Sequence, residues 1–316
     1  MIKEQTFSST FIGNKTGSIR AMFYNIYGYR YENDGLVSAP KELRQQMQAE
    51  LISEYAPDLI GFQEYSVRYH TGMTPLLTEV GYTEVDAYHT ETDSKGRKIN
   101  CTPLFYREDS LSLLDKGFHM YTETMPDPAN EGKTLNINDA RSKSITWAVF
   151  EEKQTGKRFI AVSTHFMYNA WWLTREQVRA VRAQNAEDLL AVVEKIKTKG
   201  EYAELPVIMG GDLNGRQGEA FLDTLKAGGM EWLYELSPVK NDSSGIHEYA
   251  LYDKETGELV KCVDPVEDPY RTIDYVFVHK GTKADSVSIS AYIAITDKNA
   301  LLSSDHCPRF ADITLK

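Results

Sequence analysis

The sequence predicts an α/β protein with considerable antiparallel pairing. Nine short apolar runs have the length and the Val, Ile, Phe and Tyr content of strands, while four stretches carry helical periodicity, so strands outnumber helices by about two to one. A doubly wound parallel sheet alternates strand and helix more regularly than this. The runs 145–150 and 158–164 are joined through Thr155-Gly156, which is the spacing of a hairpin and argues for a mixed sheet.

In chain order the strands are read at 18–26, 58–63, 102–107, 145–150, 158–164, 206–211, 272–278, 287–293 and 309–315. Helices are read at 41–54, 73–80, 174–197 and 219–227, the third stopping at Lys199-Gly200, where a glycine can end a helix. The stretch 240–270 is polar, turn-rich and poorly periodic, and reads as a long inserted loop. No Pro/Gly/Ser-rich linker, repeat or charge run divides the chain, so one domain spanning 1–316 is expected.

Composition excludes several classes of protein. With 41% hydrophobic and 26% charged residues, 21 Gly and 11 Pro in 316 residues, the chain is neither disordered nor collagen-like. Its 35 basic against 46 acidic residues give a net charge of −11, an average field that repels phosphates and acidic membranes unless local cations reverse it. Cys101, Cys262 and Cys307 are far apart and form no CxxC pair, which argues against a disulfide framework or structural zinc. The first residues lack a basic stretch followed by an apolar core, and no apolar run approaches the ~18 residues that span a bilayer. A soluble, cytoplasmic monomer is expected.

Chemistry is suggested by what stands at the strand ends. Four apolar runs lead directly into polar residues: Asn25, Glu64, His165 and the triplet Asp212-Leu213-Asn214. Two more begin with them, Asp274 opening one strand and Asp305-His306 preceding another. If the last two strands run antiparallel to the first four, all of these groups meet at one rim. Each alone would be an edge charge, turn or cap; together they make an oxygen-rich set suited to Mg²⁺ or Mn²⁺, with imidazoles available to donate to phosphoryl oxygens. Asp274 shares a strand face with Val276 and Val278, so its charge needs a partner, and His306 is the candidate.

In order and wording these motifs resemble the endonuclease/exonuclease/phosphatase superfamily with its DNase I-like fold: Arg20-Ala-Met-Phe-Tyr-Asn25, Pro57-Asp-Leu-Ile-Gly-Phe-Gln-Glu64, Ser163-Thr-His165, Gly211-Asp212-Leu-Asn214, Ile273-Asp274-Tyr-Val-Phe and Ser304-Asp305-His306-Cys-Pro308. The resemblance runs from about Ser18 to Thr314. It implies a four-layer α/β sandwich of two packed mixed sheets flanked by helices, and metal-dependent hydrolysis of phosphate esters. It further implies Glu64 as the principal Mg²⁺ (or Mn²⁺) ligand, Asn25 supporting the metal directly or through water, and Asp305 near it. Asp212 would orient or activate water with Asn214 beside the phosphate, His165 would contact phosphate oxygens, and Asp274 would orient the catalytic His306. The resemblance leaves open whether Asp212 or the Asp274/His306 pair is the base.

The substrate is less legible. Tyr27 and Tyr29 after Asn25, and Trp171 and Trp172 after His165, lie on expected rim loops and could grip an organic group or simply pack. Arg175, Arg179 and Arg182 form one helical stripe that reads as a solvated outer face, because Glu176, Glu187 and Asp188 stand nearby. His70, His89, His119, His247 and His279 match no motif. The acidic balance favours a small or lipid-derived phosphate ester as partner over DNA or RNA, whose endonuclease or exonuclease is the nearest enzymatic rival. A non-catalytic binding module that kept the fold predicts lost motif residues, and none of the principal ones is missing.

Overall fold

The computed structural model describes residues 14–28, 31–138, 141–281 and 286–316. Two six-stranded mixed sheets dominate. From edge to edge the first runs Val287–Ala294, Arg309–Leu315, Ile19–Asn25, Leu59–Gln63, Leu104–Arg107 and Tyr82–Glu84. The second runs Glu231–Trp232, Asp274–His279, Val207–Asp212, Arg158–His165, Ser144–Glu152 and Leu111–Met120. Each sheet has a parallel pair at its centre, Ile19–Asn25 with Leu59–Gln63 and Arg158–His165 with Val207–Asp212, and antiparallel neighbours outside it. The predicted hairpin is present, with Ile145 opposite Thr164 and Phe150 opposite Phe159.

Strand alternation builds the layers. In Ile19–Asn25, Ile19, Ala21 and Phe23 enter the core between the sheets, while Met22 and Tyr24 pack with Leu51, Ile52 and Tyr55 of the helix Lys41–Tyr55 and with Tyr69, Met73 and Leu77 of the helix Val67–Glu79. On the second sheet, Leu189 and Val193 of Arg175–Lys197 and Phe221 and Leu225 of Ala220–Ala227 complete the core. The result is the expected four-layer sandwich. Sheets covered on both faces explain why their strands read as continuous apolar runs.

Helix ends follow local chemistry. Thr174 and Gln177 form a capping box: the Gln177 backbone N–H donates to Thr174 Oγ1 at 3.2 Å and the Thr174 N–H to Gln177 Oε1 at 2.8 Å. Val67–Glu79 begins six residues before the predicted 73, because Ser66 caps it by accepting from Tyr69 N at 3.3 Å while the polar first turn hides the periodicity. No helix among the described residues is long and apolar enough to cross a membrane.

Several short elements, among them Tyr82–Glu84 and Glu231–Trp232, were not read from the sequence, and two departures are larger. Leu111–Met120 is an edge strand paired on one side only, and its half-exposed Asp115-Lys116-Gly117 centre masks the strand pattern. The stretch 240–270 is not simply a loop: Leu251–Asp253 and Leu259–Lys261 form a hairpin, and the first of these pairs with Leu36–Ser38. The preceding turn is tied to the last strand, since Arg309 Nη2 donates to Ser243 O at 3.2 Å and Cys307 N to Gly245 O at 2.7 Å.

The sheets meet where the Phe23 ring lies against Gly61 of one and Gly210 of the other; a Cβ would come within 2.6 Å and 2.4 Å of ring atoms, respectively. Gly61→Ala and Gly210→Ala should therefore each destabilise the protein by about 1–3 kcal/mol in chemical denaturation, and Phe23→Leu should recover part of either loss. Unchanged denaturation midpoints would contradict this packing.

Candidate functional site

Sheet register delivers the polar strand ends to one place. His165, Asp212 and Asp274 are direct neighbours across three adjacent strands, and Asn25 lies beside Gln63 in the other sheet. The segment before Arg309 arrives next to Asn25, with Ser304 Oγ donating to Asn25 O at 2.7 Å. Glu64, His165, Asp212, Asn214, Asp305 and His306 line one cleft of about 360 Å³. Asn25 lies behind it, buried, and Asp274 lies behind His306.

Asp212 is the centre of this arrangement. Its Oδ1 accepts from Asn214 N at 2.8 Å and its Oδ2 from Asn25 Nδ2 at 3.0 Å, with His165 Nε2 at 3.3 Å and His306 Nε2 at 3.9 Å. Burial alone would push its pKa up, but the hydrogen bonds it accepts and the positive charges of His306 and Lys143 hold the carboxyl well below the usual range, so it is ionised. Asn214 has φ 54° and donates from Nδ2 to Phe166 O at 3.1 Å. Glu64 also has a left-handed backbone, φ 59°, a strained geometry of the kind that collects at functional sites. Gly28 is required opposite it: its N–H donates to Glu64 Oε2 at 3.2 Å, and a Cβ there would lie 2.3 Å from Glu64 O.

His306 Nδ1 donates to Asp274 Oδ2 at 2.9 Å. Burial opposes a charge on the ring, yet Asp274, Asp305 and Asp212 together raise its pKa well above the ordinary imidazole value. His306 is therefore an imidazolium whose Nε2–H faces Asp212. Beside it His247 is buried and neutral: its pKa is lowered to about 4 mainly by burial, and its backbone N–H donates to Asp305 O at 3.1 Å. It thus helps to hold Asp305 from behind the cleft, although it matched no motif.

Two sets of side chains offer metal-ligating atoms. Asp212, Asp274 and His306 bring one atom each within 4.8 Å of one another, but their atoms already bond to each other and a protonated imidazole cannot ligate. Glu64 and Asp305 fit a cation better. Asp305 Oδ1 is buried and accepts no hydrogen bond among the described residues, and the carboxyl is pushed up to about 6 by burial, with the nearby Glu64 charge adding to the rise. Two crowded carboxylates, one with an unsatisfied oxygen, match the hard-cation chemistry the sequence suggested. Asn25 lies between the two acids: its Oδ1 accepts from Tyr27 N at 3.0 Å, and its Nδ2 bridges Asp212 and Glu64 Oε1, the latter at 3.4 Å.

Lys143 was not singled out from the sequence. It is buried in the cleft, with Nζ 2.7 Å from His165 Nε2 and 5.2 Å from the Tyr168 ring centroid. Because an ammonium has only protons to give, His165 Nε2 is the acceptor of this bond, and His165, its pKa lowered by burial and by Lys143, is neutral. A lysine just before a strand carries no distinctive pattern; only its burial reveals it.

The four expected substrate-binding aromatics divide. Tyr27 is buried, stacked on Tyr249 at 4.4 Å and lying over Arg44, so its ring is engaged in packing. Trp171 is 90% exposed and meets Trp172 edge-on at 5.6 Å, on the loop following the cleft's Tyr168. Tyr29 lies outside the described residues. The Arg175/Arg179/Arg182 stripe divides: Arg175 and Arg179 are exposed, as expected of an outer face, whereas Arg182 is buried, bonding Glu219 Oε2 at 2.7 Å, and all three line a cavity beside the cleft.

No family model and no curated protein matches the chain. Solved structures do. An endonuclease/exonuclease/phosphatase from Bacteroides vulgatus is 24% identical over 94% of this chain and 99% of its own, with a TM-score of 0.67. A mannosyl-6-phosphatase from Bacteroides thetaiotaomicron is 21% identical over 93% of this chain and 99% of its own, TM-score 0.64. D. rerio TDP2, solved in complex with a single-strand DNA product, is 16% identical over 93% of this chain and 98% of its own, TM-score 0.54. The chain has the fold of the endonuclease/exonuclease/phosphatase proteins, as the six motifs implied.

Lys143 is held at a cost to stability. Burial lowers its pKa from 10.5 to about 8, partly opposed by Asp212 and Glu64, so between those values the unfolded chain binds more protons than the folded one and stability rises with pH. Lys143→Met should thus melt higher than wild type at pH 7, and its advantage should shrink as pH rises from about 8 towards 10.5. A lower melting temperature at pH 7 with no pH dependence would contradict the buried charge.

Proposed function

We propose that this chain is a metal-dependent phosphohydrolase, a phosphodiesterase or phosphatase that hydrolyses a small or lipid-derived phosphate ester by attack of water. The observation that carries the reading is the surroundings of Asp212 Oδ2, where Asn25 Nδ2 at 3.0 Å, His165 Nε2 at 3.3 Å and the charged His306 at 3.9 Å converge beside Glu64 and Asp305 in one small cleft. Similarity in fold to a mannosyl-6-phosphatase supports phosphate-ester chemistry.

Glu64 and Asp305 would hold Mg²⁺ or Mn²⁺, with Asn25 fixing Glu64. When bound, the cation supplies charge neutralisation at the phosphoryl and leaving oxygens. Asp212, fixed through both oxygens and kept ionised, accepts a hydrogen bond from the attacking water and takes its proton as the P–O bond forms. Lys143 and Asn214 supply donors for the non-bridging oxygens, with His165 orienting Lys143. His306, charged and held by Asp274, donates from Nε2 to the developing negative charge. A cleft of about 360 Å³ suits one phosphate and part of its organic group.

Two experiments test this reading. Glu64→Gln keeps the volume and removes the charge, so kcat/KM towards phosphate esters should fall by about 10²–10³-fold, and excess EDTA should abolish wild-type turnover. Full hydrolysis by the variant or in EDTA would sink it, and rapid nicking of plasmid DNA with negligible turnover of small esters would replace it by a nuclease. For the coupled pair, Asp274→Asn and His306→Ala should disable the same step, the double variant losing little more than the worse single one. Multiplicative losses would show that the two act independently.

A further inference from the structure

The cavity beside the cleft, about 530 Å³, is lined by four guanidinium groups, Arg175, Arg179, Arg182 and Arg216, and one carboxylate, Glu219. In a chain of net charge −11 this is a local reversal of sign. Arg182 and Glu219 neutralise each other: Nη2 and Nε lie 2.7 and 2.8 Å from Glu219 Oε2, and Nη1 donates to Asn169 Oδ1 at 3.2 Å and to Met167 O at 3.3 Å. That buried network fixes the helix Arg175–Lys197 to the loop after His165 and forms a rigid wall. Arg175, Arg179 and Arg216 are exposed and make no ion pair or side-chain hydrogen bond among the described residues.

The cavity adjoins the cleft at two points. Asn214, bonded to Asp212 through its backbone, lines both. Tyr168 lines the cleft and the adjacent Asn169 lines the cavity. A molecule whose phosphate sits at Asp212 and His306 can extend past Asn214 towards three guanidinium groups that have no ion-pair partner among the described residues. Such groups suit an anion presented as a planar or tetrahedral oxygen set, which guanidinium binds bidentately.

We infer that the arginine cavity is a second anion subsite, so that the substrate is a compact phosphate ester carrying a further phosphate or carboxylate on its organic part. This rests on the phosphohydrolase reading for the first phosphate, and it names the substrate class that reading leaves open. A compact ligand is favoured over a polymer because the positive charge is confined to this cavity in an otherwise acidic chain.

The test is calorimetric binding to the full chain in Mg²⁺ of non-hydrolysable α,ω-alkane bisphosphonates with three to six carbons, each compared with the matching monophosphonate; terminally carboxylated monophosphonates distinguish a carboxylate from a second phosphate. At one or more lengths the dianchored compound should bind about tenfold tighter or better. Arg179→Ala combined with Arg216→Ala should reduce that advantage to about twofold or less, and the corresponding Lys pair, which keeps the charge but not the bidentate fork, should retain a part of it that a misfolded variant would not. Equal affinities at every length, or an advantage unchanged in the Ala pair, would overturn the subsite. A single-stranded oligonucleotide bound more tightly than every bisphosphonate would overturn the compact substrate in favour of a polymer. Turnover of phosphate esters without the arginine-dependent advantage removes the subsite alone; the advantage without turnover of any ester removes the phosphohydrolase reading and leaves the subsite standing.

Discussion

A single buried carboxylate, Asp212, makes the strongest demand on this structure. It ends a strand paired on both sides and is buried at the floor of the cleft, so little solvent reaches it, and an ion in that position must be satisfied largely by protein groups. The fold meets the demand from three directions: Asn214 from its own turn, Asn25 from the opposite sheet and His306 from the segment before the last strand. Asn25 is in turn fixed through Tyr27 N and His306 through Asp274, while neutral His165 stands 3.3 Å away and accepts from Lys143. The rim is one connected network, and it requires the close approach of the two sheets across Phe23, Gly61 and Gly210.

The centre of the fold was legible because its physics is local. All nine strands read from the apolar runs exist, and the strand 309–315 has the predicted bounds, since residues buried on both faces leave an uninterrupted apolar signature. Legibility fails where burial is one-sided. Leu111–Met120 carries charges because one edge faces solvent, and Leu251–Asp253 with Leu259–Lys261 is too short to show a period.

The site was readable for the same reason: an acid, amide or imidazole directly after an apolar run has nowhere to go but the rim. That logic found Glu64, His165, Asp212 and Asp274. It missed Lys143, which precedes its strand and is exceptional only in being buried, and it left His247 unassigned because the turn that brings it to Asp305 has no periodicity. The arginine stripe was read correctly for exposed Arg175 and Arg179 but not for buried Arg182, for a converse reason. Helical spacing shows which residues share a face, but whether that face meets solvent or a cavity depends on the loop after His165, which sequence spacing does not describe.

The account's central claim is a division of labour among the acids of one rim, Glu64 and Asp305 for a cation and Asp212 with Asp274/His306 for protons. Crystals of the protein soaked in Mn²⁺ and measured at the manganese absorption edge would test it most directly. The account predicts one anomalous peak at coordination distance, about 2.2 Å, from carboxylate oxygens of Glu64 and Asp305, with the His306 to Asp274 bond intact. A peak seated instead among Asp212, Asp274 and His306, with that bond broken, would contradict it.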